Sequence, residues 1–258
     1  MNGYSNVFNN AILNYDDYIK NNNCESLFKN FRTARNIYGF ITNGDTPPDQ
    51  EAINISQNIN SELYQKYVQH NSKQIVLGYG DYAPHFLYNN LDSRHIMMSI
   101  ILFENIEQPI NNILEIGGGY GGWLRLNYGI QEFNTWHIID LLHLNLLQEW
   151  YLNNHSVPRN IYKLHQNTTY KNTIDNYYDL IIGTHSLSEL DINIFNDYYE
   201  NIIKKSKYLF YACHNKLPAV ELINKKLEII NNDFNLIINV LSENNNVSNY
   251  LFINKNIQ

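Results

Sequence analysis

Glu115, five glycines between Gly117 and Gly122, Asp140, His185, Glu189 and His214 are the residues whose types and spacing could do chemistry. Apolar Ile113, Leu114 and Ile116 read as a short buried strand, with the acidic Glu115 interrupting its end. The stretch Gly117-Gly118-Gly119-Tyr120-Gly121-Gly122 then carries the backbone into a helix that starts near Trp123. Glycine tolerates positive φ and lets a ligand touch the main chain, while a following helix offers free N–H groups. Strand, glycine-rich turn and helix in that order make a nucleotide-binding crevice at the carboxyl end of a parallel sheet. The same glycines satisfy G-x-G-x-x-G. Asp140, ending Trp136-His137-Ile138-Ile139-Asp140, stands at a suitable distance to accept the hydroxyls of a ribose. The competing reading of Asp140 is an N-cap for a helix beginning at Leu141. Gln166 and Asn167, after a third strand, are candidates for an adenine edge or for a polar turn.

A hydroxyl is a poor nucleophile, and a positioned base that takes its proton contributes typically about 10²–10⁴-fold. His185, in Gly183-Thr184-His185-Ser186-Leu187-Ser188-Glu189-Leu190, is the first candidate, with Glu189 one helical turn on to orient it or to bind substrate. The alternative is a helix-capping His185 and a solvated Glu189. An unperturbed imidazole would titrate near 6.5. His214, in Ala212-Cys213-His214-Asn215, is the rival base, and His85 the third. Glu189 and Asp191 are close enough to leave a metal-assisted route open, although neighbouring acids at a helix start ordinarily serve as dipole partners. Tyr82 and His85, in the loop Gly78-Tyr79-Gly80-Asp81-Tyr82-Ala83-Pro84-His85, are candidates for substrate binding.

The elements that must position these residues form two textures. From residue 113 onward, strand-like runs at Ile113–Ile116, Thr135–Ile139, Ile161–His165, Asp179–Gly183 and Lys207–Cys213 alternate with helical patterns. One helix carries a wide apolar stripe of Leu141, Leu142, Leu144, Leu146, Leu147, Trp150 and Tyr151; a second, entered through Asp191, carries Ile194, Tyr198, Ile202 and Ile203. A third opens at Pro218 and runs through Val220, Ile223, Leu227 and Ile230. Such alternation predicts a parallel sheet covered on both faces. Asn235–Leu241 and Asn249–Asn254 have no helix between them, so they must pair antiparallel. Residues 1–108 show no alternation. Helices at about 8–30, 49–70 and 92–106 predict a helical lobe or lid, for substrate recognition or for oligomerisation, ahead of a catalytic domain at 109–258.

The 258-residue chain has net charge −7 and no Lys/Arg run longer than two, so it lacks the basic footprint of a nucleic-acid enzyme. Its 44 Asn rise together with Ile, Lys and Tyr, a coding bias that makes the Asn runs surface loops. Cys24 and Cys213 lack any pairing or metal spacing and suit a reducing compartment. No leader pattern opens the chain, and its most apolar window, Ile96–Phe103, is shorter than the span of about 20 residues a membrane requires. The expectation is a soluble cytoplasmic protein with a small-molecule partner, neither nucleic acid nor membrane, and a possible homo-oligomer.

E-x-G-x-G-x-G, from Glu115 to Gly121, resembles motif I of the S-adenosylmethionine-dependent methyltransferases. The glycines alone do not separate that cofactor from NAD. The position of Glu115, the hundred residues before the motif, the closing hairpin and the lack of a Tyr-x-x-x-Lys pair favour the methyltransferase. An NAD-dependent sugar-modifying oxidoreductase and a non-catalytic nucleotide-binding module are the alternatives. Leu114–Gly122, followed by Ile139-Asp140-Leu141 and Leu147-Gln148-Glu149-Trp150-Tyr151-Leu152, is similar to a sugar O-methyltransferase family, over about Arg94 to Glu189. The resemblance implies a Rossmann-like class I sheet, parallel strands plus a terminal antiparallel hairpin. It implies S-adenosylmethionine held by Arg94, Glu115, Gly117, Gly119, Tyr120, Gly121, Asp140, Leu141, Gln166 and Asn167, with the segment after the fourth strand facing the methyl group. The implied acceptor is a sugar hydroxyl, on a free, nucleotide-linked or polymer-linked sugar. His185-Ser186-Leu187 departs from the family in charge and leaves its base an open question. No Asn/Asp-Pro-Pro-Tyr or Pro-Cys element directs the chain to a nucleobase.

Overall fold

The computed structural model describes residues 28–32, 47–73, 77–78, 90–174, 177–215, 220–244 and 246–257. Helices α1 (Gln50–Ser72) and α2 (Asn90–Glu104) precede a sheet whose strands are β1 (Asn112–Ile116), β2 (Thr135–Asp140), β3 (Tyr162–Gln166), β4 (Leu180–Thr184), β5 (Tyr208–His214), β6 (Phe234–Ser242) and β7 (Val247–Asn254). Between them lie α3 (Gly122–Asn127), α4 (Leu142–Asn154), α5 (Ser186–Glu189), α6 (Ile192–Asn201) and α7 (Val220–Asp233). The strand order is β3-β2-β1-β4-β5-β7-β6, with every pair parallel except those β7 makes with β5 and β6. The predicted strands and closing antiparallel pair are observed, with ends shifted by a residue or two. The order reverses between β1 and β4, which opens a crevice above their carboxyl ends.

Successive side chains of a strand point to opposite faces, and both faces here are apolar. Ile113, Trp136, Ile138, Leu180, Ile182 and Phe210 meet α2, α3 and α4 on one side; Leu114, Ile139, Ile181, Leu209 and Tyr211 meet α5, α6 and α7 on the other. Helix α2 is buried from Ile96 to Leu102, so its apolar layer continues without a break into that of the sheet across residue 108. Buried Arg125 ties four helices: it donates to Tyr151 Oη (3.2 Å), to Asp92 Oδ1 (3.4 Å) and to Asn71 Oδ1.

Asp49 caps α1, accepting from the N–H groups of Glu51 (3.0 Å) and Ala52 (3.3 Å). Asn60 breaks α1 with extended angles (φ −152°, ψ 96°), and its side chain recaps the second half at Leu63 N–H, 2.8 Å. The first half is strapped to the crevice rim. Glu51 accepts from Ser242 Oγ and Glu243 N–H, both at 2.6 Å, in the β6–β7 turn.

The wide apolar stripe expected on α4 is corrected. Leu142 and Leu146 are exposed, at 52% and 37%, while His143, Asn145 and Gln148 are buried. The inner face of α4 is mixed: Leu144, Leu147, Tyr151 and Leu152 pack in the core, and Gln148 beside them bonds to Asp140. Ile194 likewise faces solvent, and Asp191 caps α6 as expected, accepting from Asn193 N–H at 2.9 Å. Pro218, Tyr82, His85, Cys24 and most of the helix expected at 8–30 lie outside the described residues.

Candidate active site

Asp140 ends β2 and is buried at the foot of the glycine loop. Its Oδ2 accepts from Gly119 N–H and Gln148 Nε2, both at 3.0 Å, and its Oδ1 from Leu141 N–H at 2.8 Å. Gln148 also donates to Gly119 O at 2.9 Å, so one side chain of α4 clasps the loop and the strand end together. Helix α4 begins at Leu142, one residue later than expected, so its N-cap is Leu141 and Asp140 is not the cap. Gly119 has φ +58°, a region that favours glycine, and a Cβ there would meet nothing within 4 Å. The loop therefore leaves open space directly above the Asp140 junction.

Glu115 lies buried beneath the same loop and accepts from Trp136 Nε1 at 3.0 Å. Desolvation pushes the Glu115 carboxyl up to about 8 and that of Asp140 up to about 7. Neither forms an ion pair with a cation among the described residues. Gln166 pairs with Asp140 in register at the end of β3, and Asn167 N–H donates to Asp140 O at 2.9 Å, so both candidates sit on the crevice rim. The Tyr120 ring is turned into the protein. It packs on Phe31 and Tyr151, at centroid distances of 5.2 and 4.9 Å, under the Arg32 guanidinium.

Beyond β4 and β5, the two rival bases come together: the His185 and His214 rings stack at 4.3 Å with a 20° tilt. His185 N–H donates to Ala212 O at 2.8 Å, and its backbone takes φ +61°, ψ −44°, strained for a side chain other than glycine. Desolvation, then the charges of His214 and Arg94, push His185 down to about 3, well below the ordinary imidazole value expected from sequence. Its buried Nδ1 has no hydrogen-bond partner among the described residues. Glu189 does not orient this ring: its side chain is exposed, and its bond to His185 is the backbone N–H···O of α5 at 3.0 Å. Four-residue α5 ends before it can turn that carboxylate back over the histidine.

Arg94 donates to Asp49 at 3.1 Å, and its charge contributes to the lowering of His185. The clasping role of Gln148 is not read from the sequence. Gln148 stands eight residues after Asp140 on the inner face of α4, a signal hidden by the neighbouring leucines. His95 follows Arg94 and stacks on Trp123 at 6.0 Å. Among the described residues no three His, Cys, Asp or Glu side chains gather as metal ligands, and no helix is long and apolar enough to cross a membrane.

The architecture has counterparts among solved structures. A protein of Pyrococcus horikoshii, provisionally assigned as an RNA methyltransferase, matches 74% of this chain and 97% of its own, with TM-score 0.52 and 10% identity. Another protein, from P. horikoshii OT3, matches 65% of this chain and 92% of its own, with TM-score 0.51 and 11% identity. The N-methyltransferase NodS of Bradyrhizobium japonicum, solved with S-adenosyl-L-homocysteine, matches 75% of this chain and 98% of its own, with TM-score 0.49 and 13% identity. No family model and no curated protein matches the sequence. The chain has the Rossmann-like methyltransferase fold.

Proposed function

We propose that this chain is an S-adenosylmethionine-dependent methyltransferase and, within that class, an O-methyltransferase of a sugar. The observation that carries the reading is the junction of Gly119, Asp140 and Gln148 beneath open space at the β1/β4 switch point. The residues fit that cofactor in charge as well as shape. Glu115 and Asp140 are two desolvated carboxyls without a cationic partner, and S-adenosylmethionine carries a sulfonium and an ammonium. Gln148 keeps a buried Oε1 with no partner among the described residues at the same junction. When bound, the cofactor supplies an electrophilic methyl group.

The chain's own residues then have two tasks. Gly119, Asp140, Gln166 and Asn167 orient the nucleoside, and alignment of the reacting atoms supplies most of the acceleration. His185 receives the acceptor hydroxyl proton. An imidazole held near 3 is neutral at physiological pH, so it is free to accept. It keeps the proton only while the new bond to carbon forms, and so assists less than a base matched to neutral pH. The sugar assignment is supported by the family resemblance of Leu114–Leu152 and by aromatic residues that suit the C–H faces of a sugar.

The test has two arms. Thermal shift with S-adenosylhomocysteine, NAD and NADP should show stabilisation by the first alone; stabilisation by NAD would reassign the crevice to an oxidoreductase. Mass spectrometry of nucleotide sugars incubated with enzyme and S-adenosylmethionine should then find a methyl gain. Binding without methyl gain on any hydroxyl acceptor would remove the sugar assignment and leave the cofactor.

A further inference from the structure

Lys226 of α7 is fully buried in an apolar layer beside Phe195, Ile223 and Ile230, where any aliphatic residue would pack. Its Nζ donates to three backbone carbonyls: Leu187 at 2.9 Å, Ser188 at 2.8 Å and Leu190 at 2.5 Å. Three donors for three acceptors require the ammonium form, since a neutral amine has only two N–H groups. The four-residue α5 is too short to hold itself, and its last carbonyls have no partner within the helix. The same segment touches both sides of the crevice. Ser186 Oγ donates to Ile116 O at the end of β1, while Ser188 Oγ donates to His185 O at 2.6 Å.

We propose that Lys226 is a positioning residue for the acceptor side: its ammonium fixes the His185–Leu190 segment in the one backbone shape that stacks His185 on His214. The functional meaning rests on the methyl-transfer reading, whereas the positioning itself does not. Around the ammonium, Glu189 of α5, Asp191 at the start of α6 and Cys213 of β5 supply the nearby titratable groups, and the Phe195 ring of α6 lies 5.5 Å away. Desolvation lowers the lysine to about 8, so mild alkali should release the clamp.

Lys226→Met keeps the length and apolar bulk but removes all three donors; Lys226→Arg keeps the charge. Hydrogen exchange of amides 186–190 and the imidazole NMR signals of His185 and His214 would be recorded on cofactor-free protein, with S-adenosylhomocysteine affinity alongside. In Lys226→Met, exchange at 186–190 should speed by roughly tenfold or more while β1–β3 stay protected, and the signals of the stacked rings should collapse towards those of free imidazoles. Lys226→Arg should restore most of both, which a purely packing role would not. Wild-type protein taken to about pH 9.5 should reproduce the methionine variant. Unchanged exchange and histidine signals in Lys226→Met overturn the proposal. If that variant does not fold, histidine signals that stay constant to alkaline pH in the wild type overturn it equally. A wild type that ignores S-adenosylhomocysteine while Lys226→Met loses the stack removes the methyl-transfer reading and leaves the clamp standing.

Discussion

At the ends of β1 and β2 both carboxylate oxygens of Asp140 are engaged by the chain's own N–H groups, whereas beyond β4 and β5 His185 keeps a buried nitrogen with no partner among the described residues. The first half of the crevice is set by backbone bonds and one glutamine. The second is held from a distance, through a strained φ at His185 and a lysine on α7 that bonds the carbonyls of Leu187, Ser188 and Leu190. The contrast teaches where variation can enter. A half whose carboxylate is fixed by its own hydrogen bonds suits an invariant ligand, and a half held from outside itself can be adapted to an acceptor.

The sharpest way to separate the halves is His185→Ala. Turnover on an acceptor should fall by about 10²-fold, the low end for a general base as befits an imidazole held near 3, with S-adenosylhomocysteine affinity nearly intact by calorimetry, and His214→Ala should be milder. A parallel loss of cofactor affinity would mean that the two halves are one. The converse variant is Asp140→Ala, which should weaken cofactor binding by about 1.5–3 kcal/mol. Gly119→Val adds a side chain at φ +58° and fills the open space, so its binding loss should be at least as large.

The buried acids give a pH signature confined to the cofactor half. Calorimetric affinity for cationic S-adenosylmethionine should rise as pH passes through about 7 and 8, where Asp140 and Glu115 ionise, and S-adenosylhomocysteine should respond less. In the absence of cofactor the sign for stability is opposite. Both carboxyls titrate higher folded than unfolded, so their contribution is complete below the unfolded values and is lost as pH rises through the folded ones. Glu115→Gln should flatten that decline and raise stability at alkaline pH by about 1–3 kcal/mol in denaturant titrations. A decline as steep as in the wild type would place the titration elsewhere. The smallest effect belongs to the strap: Glu51→Gln should lower stability by only about 0.5–1.5 kcal/mol and raise acceptor KM while leaving cofactor affinity unchanged.

Strands were legible because parallel strands buried on both faces read as apolar runs, and the glycine loop because five glycines crowd into six positions, although the structure gives Gly117, Gly118 and Gly122 packing reasons against Ser186, Ile138 and Tyr120 and leaves only Gly119 of the five facing open space. The pairing of β6 with β7 followed from a connection too short for a crossover. What stayed hidden depends on neighbours distant in sequence. Lys226 reads as half of a surface Lys-Lys pair until α5 is placed beside it. Gln148 reads as the polar position of a leucine-rich helix until α4 is rotated, and Leu142 and Leu146 face water for the same reason. His185 is a candidate by residue type alone, and the desolvation that lowers it is not written in its local sequence.

The Glu51 strap has a consequence for how the chain folds. Its carboxylate meets Ser242 across 191 residues, and β7, made last of the seven strands, must slip between β5 and β6 before that turn exists. The rim of the crevice is therefore assembled from contacts of high sequence separation, the kind that slow folding. Until β7 arrives, β5 is an open strand edge, exposed to pairing with another chain. Refolding should thus show the nucleoside half protected early and the β5–β7–β6 side late, with aggregation concentrated in that interval.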